Sequence, residues 1–211
     1  SHWVGEQLIG LHTQGLQGLG PEFVGKAAPN GVLVTAEMFE GAQMYADDVA
    51  AVMRSTNVFT PQVEQLVFMP DIHPENWGTP DCYLYDKAAG VIYLWDYKFG
   101  HSLIEVFENW QAIDYVAGIL NALGIDGNAD QHTRVVIRIA QPRAFHRDGP
   151  IREWRVMASD LRGYFNSLAN GAGISLSAKA MCHTGAQCRN CQARHACPAA
   201  LEAGLGLLEV A

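Results

Sequence analysis

The feature that most constrains the fold is a short apolar run that ends in charged residues. Residues 91–95 are mostly β-branched and aromatic, and Asp96 and Lys98 follow them closely. Residues 82–85 form a second such run, and the turn between the two, 86–90, has the length of a hairpin loop. Side chains alternate along a strand, so Asp96 and Lys98 are expected to project from one face. The pattern predicts a β-hairpin with paired charges at its open end.

The rest of the chain alternates between helical and strand-like patterns. Apolar spacing predicts helices at 1–10, 36–54, 104–123 and 159–170, strands at 63–68, 133–140 and 152–157, and a linker at 171–177. This order predicts an α/β domain with a mixed sheet flanked by helices over residues 1–177, followed by a cysteine-rich, metal-binding tail over 178–211. No run reaches the roughly 18–20 apolar residues of a membrane helix, and no signal segment is recognisable. We therefore expect a cytoplasmic protein without membrane contact.

Asp81, Asp96 and Lys98 carry the strongest chemical signal. If the strands pair through the predicted turn, Asp81 lies near Asp96 at the mouth of the hairpin. Two close carboxylates repel each other unless a cation lies between them, and open sites with oxygen ligands suit Mg²⁺ or Mn²⁺. Lys98 beside such a site can orient or deprotonate a water and stabilise an anionic transition state, as metal-assisted phosphodiester hydrolysis requires. The alternative is a surface ion pair at a strand end, although charges that emerge from an apolar strand are expensive to leave unpaired.

Two further residues extend this set of motifs. Gln111 lies thirteen residues after Lys98, and Tyr115 follows it by about one helical turn. In their order and spacing, Asp81, Asp96-Tyr97-Lys98 and Gln111-x-x-x-Tyr115 resemble the PD-(D/E)xK nuclease superfamily, in particular its RecB-like exonuclease branch. The resemblance implies a restriction-endonuclease-like core, with Asp81 and Asp96 as metal ligands and Lys98 as the catalytic lysine. It also implies that Gln111 and Tyr115 contact nucleic acid or brace the site, the alternative being an ordinary helix face packed on the sheet.

The same resemblance extends the expected metal shell to the start of the sequence. In the RecB-like branch a histidine on the first core helix joins the metal site, and His2, four residues before Glu6, is similar to it. His2 and the backbone carbonyl of Tyr97 would complete the protein shell. Because His2 stands so close to the first residue, we expect the sequence to begin inside a helix of a longer protein.

Four of the five cysteines lie close together, in the pattern Cys182-x5-Cys188-x2-Cys191-x5-Cys197. Cys-x-x-Cys lets two thiolates reach one metal from a single turn, and clustering favours a metal site over disulfides spread through the chain. Four thiolates suit a structural Zn²⁺ and equally a [4Fe–4S] cluster. The pattern is similar to the iron–sulfur staple of some RecB-like exonucleases, in which the fourth cysteine lies far upstream. The resemblance implies an iron–sulfur cluster, with either Cys182 or a missing upstream cysteine as the fourth ligand.

Together these residues predict a metal-dependent DNA exonuclease of phage or prophage type. Its expected substrates are single-stranded DNA or duplex ends, and its expected partners are a helicase, a recombination protein or another phage protein. Two other functions stay open. One is a catalytically inactive nucleic-acid-binding module of the same fold, and the other is a zinc-containing small-molecule hydrolase.

The charge balance narrows the prediction. Acidic residues outnumber basic ones by 22 to 14, a formal net charge of −8, which argues against a general polyanion binder. Divalent cations would neutralise part of the negative charge at the site. Seven of the fourteen basic residues are arginines in one stretch that a DNA backbone could follow, namely Arg134, Arg138, Arg143, Arg147, Arg152, Arg155 and Arg162. We therefore expect weak, metal-dependent binding of DNA.

Overall fold

The computed structural model describes residues 1–16, 20–126 and 129–208. Its α-helices are α1 (His2–Thr13), α2 (Ala36–Thr56), α3 (Trp110–Leu123), α4 (Arg162–Ser175) and α5 (Pro198–Leu208). Its strands are β1 (Gln62–Val63), β2 (Val67–Phe68), β3 (Trp77–Gly78), β4 (Cys82–Asp86), β5 (Val91–Tyr97), β6 (Arg134–Ala140) and β7 (Ile151–Met157). The chain forms two compact units, Ser1–Ala169 and Asn170–Ala211, which divide within α4, whereas the sequence pattern places the boundary at 177–178. None of the helices formed by these described residues combines the length and apolar character of a membrane-spanning segment.

The first unit is built around a five-stranded sheet in the order β1-β4-β5-β6-β7. The predicted hairpin is present, because β4 and β5 pair in antiparallel register with Cys82 opposite Trp95. β5 and β6 run parallel, with α3 in the connection that such a pair requires, and β6 and β7 run antiparallel. The predicted α/β class, with a mixed sheet flanked by helices, is therefore confirmed.

Alternation along β5 divides its side chains between two cores on opposite faces of the sheet. Ile92 and Leu94 pack against α3 in one core, and Trp95 and Tyr97 pack against α1 and α2 in the other. Helices cover both faces, which is why the strand is a nearly continuous apolar run rather than an alternating one. Asp96 continues the face of Ile92 and Leu94, so its carboxylate lies at the end of the sheet on the α3 side.

Two predicted helix boundaries are wrong. The helix predicted at 104–123 begins at Trp110, because the side chain of Asn109 accepts a hydrogen bond from the first turn and caps the helix there. Apolar residues ahead of the cap belong to a loop, although their spacing resembles that of a helix. The linker predicted at 171–177 is helical as far as Ser175, where α4 ends.

The strand predicted at 63–68 is also wrong, since it is two short strands that belong to different sheets. Glu64 has a φ of 49°, in the left-handed region, and breaks the extended backbone. β1 pairs with β4 at the edge of the main sheet, whereas β2 pairs with β3. The β2–β3 pair packs closely on α3, where a Cβ added at Gly118 would lie 2.7 Å from Val67 Cγ2. Periodicity alone could not reveal this division, because both pieces are extended.

Candidate functional site

The open end of the β4–β5 hairpin brings Asp81 and Asp96 to neighbouring positions. Cys82 and Trp95 form the last register pair, and the two aspartates are the next residue on each side of it. The side chain of Asp81 accepts a hydrogen bond of 2.6 Å from the backbone N–H of Tyr97. This bond holds Asp81 against the strand that carries Asp96.

Lys98 forms an ion pair with Asp96. Its Nζ lies 2.9 Å from Asp96 Oδ1, and the side chain of Asp96 is 4% exposed whereas that of Lys98 is 27% exposed. The lysine thus reaches from the surface to a buried carboxylate. The second oxygen, Asp96 Oδ2, is buried and has no hydrogen-bond partner among the described residues. An unpartnered buried polar atom costs about 1–3 kcal/mol, and more when the group is charged, so a bound cation at this oxygen would be stabilising.

A chain of hydrogen bonds connects Lys98 to α3. Lys98 Nζ donates to Gln111 Oε1 at 3.1 Å, and Gln111 Nε2 donates to the hydroxyl of Tyr115 at 3.1 Å. The spacing of one turn places both residues on one face of the helix. Tyr115 is itself confined by the backbone at Gly78, where an added Cβ would lie 2.6 Å from Tyr115 Cε1. In this arrangement Gln111 and Tyr115 brace the lysine.

His2, the first residue of α1, reaches the same end of the sheet. Its Nε2 lies 2.8 Å from the carbonyl oxygen of Tyr97 and 3.7 Å from Asp81 Oδ2. Its ring packs edge-on against the ring of Tyr97, with a centroid separation of 5.1 Å. A carbonyl oxygen only accepts, so Nε2 carries the proton in this arrangement. His2, Asp81 and the backbone of Tyr97, three members of the expected metal shell, therefore lie together. Coordination of a metal by His2 Nε2 would require the loss of the proton on that nitrogen.

The surroundings of Asp81 oppose its negative charge. Burial raises the pKa of Asp81, the hydrogen bond from the Tyr97 N–H lowers it, the charge of Asp96 raises it, and His2 and Lys98 lower it. The outcome is a pKa above the ordinary value for aspartate. Asp81 therefore holds a proton more readily than an ordinary aspartate does, and a divalent cation between the two aspartates would counteract this effect.

The residues at the hairpin mouth fit a hard divalent cation in their chemistry. Across residues 1–16, 20–126 and 129–208, no three His, Cys, Asp or Glu side chains are grouped in the arrangement of a metal site. The carboxylates are held by internal partners instead, Asp81 by the Tyr97 N–H and Asp96 by Lys98. The available donors are nevertheless carboxylate and carbonyl oxygens with one imidazole, which suit Mg²⁺ or Mn²⁺. The unpartnered Asp96 Oδ2 is the observation that fits such a cation best.

Glu64 lies beside Asp81, and Glu6 lies close enough to Glu64 to influence its pKa. The N–H of Glu64 donates to the carbonyl of Asp81 at 3.1 Å. Partial burial, followed by the charges of Asp81 and Glu6, raises the pKa of Glu64 to about 7. Glu6 lies one turn after His2 on α1, and this i,i+4 spacing is the only sequence signal that could have associated it with the site. With a pKa of about 7, Glu64 is only partly ionised at neutral pH and adds part of a negative charge beside Asp81.

Gln141 and Arg152 hold the loop that joins Lys98 to α3. Gln141 is 1% exposed, and its amide makes three hydrogen bonds of 3.2, 2.7 and 3.1 Å to backbone groups of residues 100–104. Arg152 is also buried and donates to Gln141 Oε1 at 2.9 Å and to the same loop at 3.0 Å. The sequence shows Gln141 directly after a buried strand and Arg152 in the arginine-rich stretch, but no motif associates the two residues with each other.

Five of the seven arginines in the arginine-rich stretch form ion pairs with acidic side chains of the protein. Arg138 contacts Asp48 at 2.6 Å and Glu153 at 2.8 Å. Further ion pairs join Arg143 to Glu37, Arg147 to Asp148, Arg155 to Glu153, and Arg162 to Asp71 and Asp130. These acidic partners lower the net positive charge of the stretch, while the side chains of Arg147 and Arg155 are still largely exposed.

The second unit, Asn170–Ala211, contains the four clustered cysteines, and we call it the cysteine unit. The N–H of Cys191 donates to the carbonyl of Cys188 at 3.3 Å, so this pair lies in one tight turn. A hydrogen bond with Cys197, followed by the charges of Cys197, Cys191 and Cys188, raises the pKa of Cys182. A hydrogen bond from the N–H of Ala200, in the first turn of α5, lowers the pKa of Cys197 and favours the thiolate that binds metals. Cys182 and Cys197 are thus hydrogen-bond partners, but in this part of the described chain the four cysteines are not grouped in the arrangement of a metal site.

The chain was also compared with known proteins. It matches the model of the family DUF2800, described as a protein of unknown function, over residues 2–210. A comparison with curated proteins found no match. The matched range includes the hairpin, the residues around it and the cysteine cluster. The chain therefore belongs to the DUF2800 family.

Proposed function

We propose that this chain is a metal-dependent DNA nuclease that hydrolyses phosphodiester bonds at the open end of the β4–β5 hairpin. The observation that carries the proposal is Asp96, which pairs with Lys98 through one oxygen and has a second, buried oxygen without a partner. A buried anion that needs a cation, beside an ammonium held by Gln111, suits divalent-metal hydrolysis. The mixed sheet flanked by helices is compatible with the restriction-endonuclease-like core that the proposal requires.

In the proposed mechanism Asp81, Asp96, the Tyr97 carbonyl and His2 would hold the ion. Mg²⁺ or Mn²⁺, when bound, supplies a Lewis acid and lowers the pKa of a coordinated water. The ammonium of Lys98, next to Asp96, can donate a hydrogen bond to the attacking water or to a phosphate oxygen. It thereby orients the nucleophile and stabilises the negative charge that develops on the phosphate.

The substrate and setting follow from the resemblance to RecB-like nucleases. DNA is the proposed substrate, as single strands or duplex ends, with exonuclease action in the cytoplasm of a bacterial or phage-infected cell. The net charge of −8 and the paired arginines leave few free cations for the DNA backbone. A helicase, a recombination protein or another phage protein is therefore the proposed partner that helps to hold the substrate.

The cysteine unit is proposed to hold a [4Fe–4S] cluster, with Zn²⁺ as the alternative. Cys182, Cys188, Cys191 and Cys197 are the proposed ligands, and the group would stabilise the unit rather than take part in hydrolysis. Metal analysis combined with visible absorbance separates the two occupants. A colourless protein with stoichiometric zinc would contradict the cluster.

The decisive experiment measures cleavage of end-labelled single- and double-stranded DNA, with Mg²⁺ or Mn²⁺ and with EDTA, by protein whose cysteine unit is loaded with metal. We expect metal-dependent cleavage that falls by at least about a hundredfold in Asp96→Asn and in Lys98→Met. The matched control is Asp86→Asn, because Asp86 is 8% exposed and lies at the other end of the same hairpin.

The outcomes of this experiment separate the candidate functions. Cleavage that survives Asp96→Asn would overturn the assignment of the site. DNA binding without metal-dependent cleavage would identify the inactive binding module, and neither binding nor cleavage of DNA would favour the small-molecule hydrolase.

A further inference from the structure

Four aromatic side chains form a continuous surface where α3 begins, and we call this group the aromatic surface. Phe107 packs on Trp154 with ring centroids 5.3 Å apart, and Trp154 lies 6.3 Å from Tyr164. Tyr164 in turn lies 5.5 Å from Trp110. Residues from the 104–109 loop, α3, β7 and α4 thus meet in one row of rings.

The two outer rings of the aromatic surface are open to solvent. Phe107 is 61% exposed and Trp110 is 50% exposed, whereas Trp154 and Tyr164 are partly buried against the core of the α3 face. The three contacts have interplanar angles of 64° to 76°, so the rings meet edge to face rather than stacking. Flat ring surface on Phe107 and Trp110 is therefore left uncovered by the cluster itself.

The backbone between these two exposed rings is fixed by hydrogen bonds. Glu108 has a φ of 51°, in a region that non-glycine residues seldom adopt. Its carboxylate accepts a hydrogen bond of 2.5 Å from the hydroxyl of Tyr164. Asn109 caps α3 with its side-chain oxygen and donates to the carbonyl of Glu105 at 2.9 Å. Strained backbone persists where its surroundings hold it, and here it holds two exposed aromatic rings in fixed positions.

The aromatic surface lies on the same side of the sheet as the candidate active site. Trp110 directly precedes Gln111, which accepts the hydrogen bond from Lys98. Trp154 is paired through β6 with Leu94, and Asp96 lies two residues further along the same face of β5. The exposed rings and the reacting groups therefore lie on one side of the sheet.

We propose that the aromatic surface stacks unpaired bases of single-stranded DNA and delivers the strand to the hairpin mouth. This inference rests on the proposed nuclease function and deepens it by naming the substrate class. The nearby loop carries Glu105 and Glu108, and Arg155, next to Trp154, is paired with Glu153, so the proposed binding relies on stacking more than on attraction of phosphates. Stacking on an aromatic ring needs no positive charge and is available to every base, because each base has a flat π-face. Duplex DNA hides those faces within its own stack.

Binding to fluorescein-labelled single-stranded DNA tests the proposal without relying on cleavage. Anisotropy is measured in EDTA and again with Ca²⁺, because divalent cations are expected to aid DNA binding. The probes are a 12-nucleotide strand and an abasic strand of equal length, which carries the same phosphates without bases. We expect the wild-type protein to bind the abasic strand at least about tenfold more weakly. This comparison needs no variant and does not depend on how well any variant folds.

Variants then locate the contact. Phe107→Leu and Trp110→Leu keep apolar bulk but remove the ring, and each is expected to weaken binding of the normal strand by about 5- to 150-fold, the range for one lost stacking contact. Phe59→Leu is the matched control, because Phe59 is 46% exposed and precedes β1, at the opposite edge of the sheet from β7. Thermal melts check that each variant is folded.

Equal binding of both strands, or no binding of either, overturns the stacking proposal, as does wild-type binding by both ring variants. Wild-type binding of DNA by both ring variants is the result expected if the aromatic surface binds a protein partner instead. The failure of the nuclease proposal is distinguishable, because a protein that binds through bases but never cleaves DNA keeps the stacking result. Conversely, a protein that cleaves DNA but binds both strands equally loses only the stacking proposal.

Discussion

Lys98 Nζ lies 2.9 Å from Asp96 Oδ1, while the second oxygen of the same carboxylate is buried without a hydrogen-bond partner among the described residues. Lys98 is therefore a partner for only one of the two oxygens of the buried Asp96 carboxylate. Such a half-satisfied group makes the hairpin mouth sensitive both to loss of the lysine and to addition of a cation.

Removal of the lysine should destabilise the metal-free protein. Lys98→Met leaves Asp96 buried without a counter-charge, and we expect a loss of about 2 kcal/mol, below the 3–5 kcal/mol typical of fully buried pairs because Lys98 is partly exposed. Urea unfolding in EDTA measures this free energy. Combination with Asp96→Asn should recover most of the loss, and Lys87→Met, at an exposed position in the hairpin turn, is the control. Additive effects of the two changes at the site would contradict the pairing.

Divalent cations should stabilise the wild-type protein through Asp96. A cation that binds only the folded state adds about 2.7 kcal/mol when its concentration is a hundred times its Kd. We expect the Tm of protein with a loaded cysteine unit to rise with added Mn²⁺, and Asp96→Asn to remove most of that rise. Asp86→Asn should keep it. The same Mn²⁺-induced shift in wild type and in Asp96→Asn would show that Asp96 is not a ligand.

The stability of the protein should also depend on pH through Glu64. Its pKa in the folded state is about 7 against an ordinary value of 4.5, so folding favours the protonated form. That stabilisation is present in full below pH 4.5 and is lost as pH rises through about 7. Glu64→Gln cannot ionise and should exceed the wild type in stability at pH 8 by about 1 kcal/mol, a value discounted for solvent screening of this exposed side chain.

The difference in stability between Glu64→Gln and the wild type should vanish at pH 4, where the glutamate and the glutamine are both neutral. Thermal melts in EDTA across this pH range provide the measurement. Glu75→Gln, at an exposed glutamate, is the control. A stability difference that stays constant with pH would point to a packing effect instead of ionisation.

Loss of Gln141 should release the loop between Lys98 and α3. Gln141→Leu leaves three backbone groups of residues 100–104 without buried partners, and we expect a loss of about 3 kcal/mol or more. Because the loop precedes α3, cleavage by folded protein should also fall when assayed well below its Tm. Gln65→Leu, at an exposed position, is the control. Unchanged stability of Gln141→Leu would contradict the role of these hydrogen bonds.

The cysteine unit should respond to mutation independently of the hairpin. We expect Cys191→Ser to lower the metal content and stability of this unit more than it alters the catalytic site. Iron and zinc analysis, visible absorbance and proteolysis of the purified protein measure the first effect. The Mn²⁺-induced shift in Tm measures the second. Full metal content in Cys191→Ser, with Cys82→Ser as the control, would remove Cys191 from the set of ligands.

The local patterns of the sequence predicted the β4–β5 hairpin and the position of its charges. Alternation along a strand places Asp96 and Lys98 on one face of that strand whatever the rest of the chain does. In the same way, the spacing of one helical turn places Gln111 and Tyr115 on one face of a helix. The order of helices and strands predicted the α/β class for the same reason. Each of these features depends on residues that are close in the sequence, where backbone geometry leaves few alternatives.

Local patterns failed where a long-range contact overrides them. The run at 63–68 looks like one strand, but β1 and β2 belong to different sheets. Glu64, which breaks the strand in the left-handed region, is not a glycine, so its identity gives no sign of the break. The apolar spacing ahead of Trp110 continues a helical pattern that the Asn109 cap ends. Packing of each segment against its partners decided these boundaries.

The sequence by itself determined which chemical groups this protein can use: two aspartates and a lysine on a hairpin, and four clustered cysteines. Only the tertiary structure brought His2 within hydrogen-bonding distance of Tyr97, 95 residues away, and left Asp96 Oδ2 buried without a partner. It alone also joined four aromatic rings from separate elements into one surface. The physical reason is that burial and pairing across a sheet are set by the packing of distant segments, which no local periodicity encodes.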